Sequence, residues 1–471
     1  MLSGFLGSSR MSDGWLIPSG IVRESSSSRL PAVRGPALAG HWTVTSRVGC
    51  FVFVQLPSTR ETVICGRYEL KEIRDGFLGR FVYGRTYLDR SDAVAIDPVN
   101  LPLKDTEFTT SKVGGMFGAL RDTAPDAWGR MVIERRDRGR PYSELDYLLG
   151  SSALRVGALS YGAGQEVPVL DYSNAHSLED LEAASDAADA LEGEIAGEEN
   201  PLLVDLDRVL DPSSGMGGAR PKTVVRDGDG QLWVAKFPSR GDRWNNGITE
   251  AAYLSLAGEC GITVPEARVV TLSAKKIVMV KRFDQEPGND EPIRRLFLSA
   301  HTLLGLEESV TDRTGWSYLD LSHLLRRISS RPEEDAAELF RRMVFNALVS
   351  NTDDHPRNHA VLGTNSGDWR LSPAYDLVPS SDRSLDDRRL AMTCGETPGR
   401  ERWANRLNLV SGAQHFRLGE DEADAVITTM KEIVVHRWEG HVRSHGGTAQ
   451  DCRNIAHAIV YEGLEYGTVP D

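Results

Sequence analysis

Residues 351–358 read N-T-D-D-H-P-R-N, and P-A-Y-D-L follows at residues 373–377. Asp353 and Asn358 are separated by four residues, and Asp376 comes after a β-rich interval. A D-x-x-x-x-N run followed by an isolated Asp has the spacing of a phosphotransferase catalytic loop and its metal-binding carboxylate. Phosphoryl transfer needs metal on the phosphates, a cation to spread charge and a residue that orients the acceptor hydroxyl. Mg²⁺ takes oxygen ligands and keeps waters, so one Asp and one Asn are sufficient protein ligands. The spacing assigns Asp353 as the hydroxyl-orienting base and Asn358 with Asp376 as metal ligands. Asp354 competes for the base role but leaves only three residues before Asn358. A like-charged neighbour raises a carboxylate's pKa, which suits a base.

His355 and His359 lie four apart, a spacing that holds zinc on a helix. Pro356 argues against a regular helix through them, and no cysteine is near. The reading is that one His braces the loop and the other packs below it. His355 and Tyr375 flank the base and metal positions and count among the nucleotide-binding candidates, although Tyr375 also reads as core. Arg357 is placed to touch a phosphate, but a solvated Arg is the commoner outcome.

These groups need a scaffold, and the preceding chain supplies its parts in order. Residues 211–225 hold a Gly-rich stretch, with Gly217, Gly218 and Ala219 ahead of Lys222 and a β-branched run. Glycines let backbone N–H groups approach phosphate oxygens without a Cβ in the way. A D-G-D-G turn at 227–230 leads to a second strand, L-W-V-A-K, that ends in Lys236, a point charge for those phosphates. The Walker A spacing is absent. Residues 246–258 read as a helix carrying Glu250, the residue type that holds a phosphate Lys by an ion pair. Strands at 264–272 and 276–280 run into K-R-F-D at 281–284, the place of a hinge between lobes. Helices are then expected over 296–304, 319–328, 332–349, 420–443 and 451–464. In the third, Ala336, Leu339, Phe340, Met343, Val344 and Ala347 fall at helical spacing, so it should be buried. Residues 360–362 and 369–371 flank N-S-G-D and read as a hairpin.

Upstream, residues 1–45 are rich in Ser, Gly and Pro and read as a disordered extension. Residues 48–175 read as a small α+β unit, with strands at 50–56, 62–70, 79–84 and 157–161 and a helix begun by Asp126. Residues 177–195 form a capped connecting helix, and 193–200 a linker. Residues 201–284 then make a β-rich lobe and 285–471 a helical one. The 40% hydrophobic and 26% charged fractions suit ordinary globular cores. A net charge of −14 argues against broad binding to nucleic acid. Five scattered cysteines without zinc spacing fit a reducing cytoplasm. No signal-peptide core is visible, and no run approaches the ~20 apolar residues of a membrane span.

The chain resembles the HipA family of bacterial serine/threonine kinases, toxins of type II toxin–antitoxin pairs. The likeness rests on V-Y-G-R-T-Y-L at 82–88, L-R-D-T-A-P-D-A-W-G-R at 120–130, G-G-A-R-P-K at 217–222, V-A-K at 234–236, Glu250, V-K-R-F-D at 280–284, N-T-D-D-H-P-R-N at 351–358 and A-Y-D at 374–376. It implies an α+β, two-lobed protein-kinase-like fold with a β-rich N-terminal unit docked in front, and Mg-ATP as phosphate donor. It also implies Lys236 on the ATP phosphates, backbone near Lys281 and Phe283 at adenine, Asp353 as base, and Asn358 with Asp376 on Mg²⁺. A HipB-like helix-turn-helix antitoxin would be the partner, with DNA reached only through it. The substrate would be a protein Ser/Thr hydroxyl, in some members that of an aminoacyl-tRNA synthetase. A regulatory serine of some members falls near Gly215, beside Ser213 and Ser214. Residues 1–45 have no counterpart. A small-molecule kinase of the aminoglycoside or choline type is the rival, but those carry H-G-D where this chain has N-T-D. A non-catalytic corepressor is the other, against which the presence of Lys236, Asp353, Asn358 and Asp376 counts.

Overall fold

The computed structural model describes residues 49–137, 142–150, 153–170, 172, 175–195, 218, 220–273, 275–288, 292–308, 312–380 and 388–465. The expectations for residues 1–45 and for the 196–200 linker lie outside them. Five strands form the first sheet: β1 (Gly49–Gln55), β2 (Thr62–Ile73), β3 (Gly76–Tyr83), β4 (Glu107–Thr110) and β5 (Leu159–Gly162). Their order is β4-β3-β2-β1-β5, antiparallel at each pairing. Apolar residues of β1 face the core, and a bulge between Val52 and Phe53 lets both be buried. Helix α1 (Ala127–Arg136) starts where Asp126 accepts the Gly129 N–H at 2.9 Å.

Helix α2 (Leu181–Ile195) follows a 3₁₀ turn closed by a reciprocal Ser177–Asp180 capping box. It is more than a connector. Leu181, Ala184, Ala188 and Leu191 bury against Trp128 and Val132 of α1 and against Trp233, Ala235, Ile277 and Met279 of the second sheet. That sheet holds β6 (Lys222–Arg226), β7 (Leu232–Lys236), β8 (Ala267–Leu272) and β9 (Lys275–Lys281) in the order β6-β7-β9-β8. Helix α3 (Asn246–Glu259) crosses it, capped by Asn245.

Beyond the short pair β10 (Gln285–Glu286) and β11 (Ile293–Arg294), the helix expected over 296–304 is half strand. Phe297–Ser299 is β12, paired with β13 (Ala360–Gly363), which in turn pairs with β14 (Trp369–Leu371). Only Ala300–Leu303 is helical. Tertiary pairing with a segment some 60 residues away overrides local propensity there. Helices α4 (Tyr318–Ile328), α5 (Pro332–Leu348) and α6 (Glu420–Ser444) build the rest. Pro332 and three acidic residues begin α5, and its apolar positions are buried as their spacing requires. The helix expected over 451–464 stops at Ile455 and continues as separate 3₁₀ turns.

One hydrophobic cluster runs from Cys50 and Val52 through α3 and α5 to Leu464, so the first sheet and the helical part share a core. All five cysteines are buried and free. Among the described residues no helix is long and apolar enough to cross a membrane.

Candidate active site

Lys236 ends β7. Its ammonium lies 2.7 Å from Glu250 Oε1 on α3 and 2.7 Å from Asp376 Oδ1. Burial works against that ammonium, but the two carboxylates outweigh it and hold the Lys236 pKa above its usual value. Burial also opposes the Asp376 carboxylate; the Lys236 charge overcomes it and brings the carboxyl to about 2. Glu250, 4% exposed, is pushed upward by burial. It is not the exposed helix charge that an isolated Glu would suggest. Asp376 has φ 59°, left-handed backbone uncommon for a residue other than Gly. A strained φ at the residue that meets the sheet-borne Lys suits a functional position.

The chain enters the second half of the site from the end of α5. Ser350 turns left-handed at φ 54°, and Asn351 is tied back by its backbone and amide to Asn346 at 2.9 and 3.0 Å. A 3₁₀ turn, Pro356–Asn358, follows. Asp353 is exposed, whereas Asp354 is fully buried. Asp354 accepts from the Tyr318 hydroxyl and from Ala391 N–H at 2.8 Å. Its carboxyl is pushed up to about 7, through burial first, with Asp353 only a minor contributor. The expectation that adjacent charges tune a base is corrected: the raised carboxyl is the buried one, raised by desolvation.

The histidines divide. His355 lines a cavity, with its Nδ1 unpartnered and its ring edge-on to Trp316. His359 packs beneath, edge-on to Tyr318 at 5.1 Å, with neither ring nitrogen hydrogen-bonded. Burial drives its pKa down to about 3. Among the described residues no group of His, Cys, Asp and Glu is arranged to hold a metal by itself.

Gly218, Lys236, Glu250, Asp353, His355 and Asp376 share one cavity of about 610 Å³. Gly218 has φ +111°, and a Cβ there would lie 3.2 Å from Lys222 Nζ. Gly217, Ala219, Ser213 and Ser214 lie outside the described residues. Asn358 does not line that cavity; it is buried and donates Nδ2 to the Asp353 carbonyl at 3.2 Å.

Four other candidates are placed elsewhere. Lys222 does not line the cavity; its ammonium is buried on Asp126 at 2.7 Å and on the Gly218 carbonyl at 3.2 Å. It ties Gly218 to Asp126 of the first unit. Lys281 donates its backbone N–H to Glu266 and its side chain is half-exposed. Phe283 and Tyr375 pack with tilted rings, centroids 5.6 Å apart, in a small apolar cluster with Val156 and Phe297, and the Tyr375 hydroxyl donates to the Arg357 carbonyl at 2.7 Å. Their rings fill core. The cavity wall also includes Asp242, Arg243 and Arg313, for which no motif gave a signal.

Residues 214–438 match the family model described as the HipA-like C-terminal domain, and residues 69–162 match the HipA N-terminal domain. A protein of Sinorhizobium fredii (strain NBRC 101917 / NGR234) named "Putative kinase Y4mE" is 25% identical over 348 residues, 69% of this chain and 77% of that one. A second from the same strain, "Putative kinase Y4dM", is 28% identical over 33% of this chain and 39% of its own length. Among solved structures, HipA from the Shewanella oneidensis MR-1 complex of HipA, HipB and operator DNA matches with a TM-score of 0.63 at 16% identity, over 88% of this chain and 95% of that one. At that identity the likeness speaks for the fold, which is mixed α and β and kinase-like.

Proposed function

The chain belongs to the HipA family, and on that premise we propose that it is an ATP-dependent protein serine/threonine kinase. The observation that carries this reading is one cation, Lys236, bridging Glu250 and Asp376 in the cavity onto which Asp353 opens. Asp353 orients the acceptor hydroxyl and takes its proton as the oxygen attacks the γ-phosphorus and the bond to ADP breaks. Lys236 holds phosphate oxygens, and Glu250 keeps it in place. Gly218 lets backbone approach the phosphates, since a side chain there would be strained at its φ and crowd Lys222. Asn358 and Asp376 would hold Mg²⁺, which neutralises phosphate charge.

The proposed partners follow the family. A HipB-like helix-turn-helix antitoxin would bind the chain, with DNA reached through it, as HipA and HipB assemble with operator DNA in the Shewanella complex. The acceptor would be a Ser or Thr of a cellular protein, an aminoacyl-tRNA synthetase being one such target, in the cytoplasm. The test is incubation of the purified chain with Mg-ATP labelled at the γ-phosphate and a whole-cell lysate. Label should appear on a protein with the wild type and not with Asp353→Asn. No transfer by the wild type to itself or to any protein would overturn the reading.

A further inference from the structure

A second cavity, of about 270 Å³, shares no lining residue with the first. It sits where the first unit meets the helical half. Lys112, Phe117 and Arg121 form one side of it, and His301, Leu306 and Arg357 the other. The two parts touch directly here, since a Cβ on Gly118 would lie 2.6 Å from the Thr302 side chain. Arg357 belongs to the 3₁₀ turn that follows Asp353. It lines this cavity and not the one that Asp353 lines. Its carbonyl accepts the Tyr375 hydroxyl at 2.7 Å, one residue before Asp376.

The described wall of this cavity holds three cations, Lys112, Arg121 and Arg357, and no carboxylate. The acids that touch the two arginines stand outside that wall. Glu308 Oε1 accepts from Arg121 Nε at 3.0 Å and from Arg357 Nη2 at 2.6 Å. Asp122 lies 3.7 Å from Arg357 Nη1, and both its oxygens are taken by Ser299. The Glu308 side chain is 40% exposed, against 15% for Arg121 and 27% for Arg357. One surface carboxylate thus serves two largely buried guanidinium groups. Its compensation is incomplete: burial, then Arg130, hold the Arg121 pKa below its usual value with Glu308 in contact, and Arg357 adds to that effect. Met116, Phe117 and Leu306 make part of the wall apolar.

We propose that this cavity is a ligand site for a small organic carboxylate with an apolar body, which competes with Glu308 for Arg121 and Arg357. Guanidinium N–H groups match a carboxylate in charge and geometry. Glu308 shows that both side chains converge on a single carboxylate oxygen. The volume is at the small end of ligand sites, which sets the size of the body. Inorganic phosphate matches the charge but leaves the apolar wall unused. Through Arg357 the occupant is tied to the turn after Asp353, so binding orders that loop.

Benzoate is the probe, with benzamide as its uncharged counterpart and inorganic phosphate as the bare anion. Calorimetric titration of the full chain should show binding of benzoate and none of benzamide. Glu308→Gln removes the competing carboxylate and should tighten benzoate binding about fivefold, the effect of one surface ion pair. Its melting temperature should stay near wild type, because the side chain is exposed. Arg121→Gln should weaken benzoate binding about tenfold. Arg121→Lys keeps the charge but not the fork and should lie between, which serves if the Gln variant melts early. Amide hydrogen exchange should slow on benzoate binding at residues 113–121 and 353–358. The site would be overturned by no binding of benzoate to either wild type or Glu308→Gln, equal binding of benzamide, or tighter binding of phosphate. No gain in Glu308→Gln, full affinity in both Arg121 variants, or protection that omits 353–358 would overturn it equally. Each of these readouts is independent of whether the chain transfers phosphate.

Discussion

Asp353 and Asp354 are adjacent in the chain and serve opposite sides of the loop. Asp353 opens onto the cavity, and Asp354 is sealed beneath it between Tyr318 and Ala391. Replacing Asp353 with Asn should lower phosphate transfer by about 10²–10⁴-fold, the usual contribution of a positioned base. Its melting temperature should stay within a degree or so of wild type, because the side chain is exposed. Asp354→Asn should show the reverse emphasis, with its main effect on stability. Transfer assays paired with thermal melts decide it, and a fully active Asp353→Asn protein would remove Asp353 from the chemistry.

Asp354 also sets a pH dependence. Its carboxyl rises from 3.8 to about 7 on folding. Between those values the folded chain binds a proton that the unfolded chain does not. Its contribution to stability is therefore full below pH ~4, declines as pH rises to about 7 and is flat above. Urea midpoints from pH 4 to 8 should show this decline in the wild type and lose it in Asp354→Asn. Parallel curves would mean that the carboxyl is ionised in the fold.

His359 acts in the opposite sense. Burial, and then Arg342 and His355, hold its pKa at about 3 against 6.5 for a free imidazole. The unfolded chain is thus the better proton acceptor below 6.5, and stability should fall as pH drops through that window. His359→Phe keeps a ring against Tyr318 and removes the titration, so its acid-side loss should be smaller. His301, also held at about 3, contributes a second such loss. Because these trends oppose that of Asp354, the single variants separate what the wild-type curve merges.

Lys222 and Asp126 form a buried ion pair between residues 96 positions apart. Lys222→Met leaves an uncompensated carboxylate and should lower unfolding stability by about 3–5 kcal/mol. Asp126→Asn removes the charge but retains an amide oxygen able to cap α1. The double variant should recover part of each single loss. Denaturant midpoints read this double-mutant cycle, and strictly additive losses would show that the two side chains do not interact in solution.

Sequence alone carried the parts of the molecule that depend on local chemistry. The apolar run of β1, the apolar stripe of α5, the Asn365–Asp368 turn and the order of Lys236, Glu250, Asp353, Asn358 and Asp376 were all readable from the residues and their spacing. Partnerships across the chain were not. Nothing near Lys222 announces Asp126, and nothing near Phe297 announces Leu362, its partner in β13. The contrast between Asp353 and Asp354 likewise depends on Tyr318 and Ala391, tens of residues away.

The link between the lobes has a consequence for motion. Arg282 and Asp284, in the link between β9 and β10, pair with each other while fully buried. Arg282 also donates to the carbonyls of Leu154 and Arg155, and Asp284 accepts the Gly157 N–H. Farther on, Asp122 accepts from both the backbone N–H and the hydroxyl of Ser299 in the helical half. The first unit is thus bolted to the connector and to the helical half, and through Asp126 and Lys222 to the sheet. It acts as a strut. Wide opening of the cleft would break buried, charge-assisted bonds, so under the proposed kinase activity nucleotide exchange would proceed through small local breathing, and departure of the spent nucleotide would limit turnover.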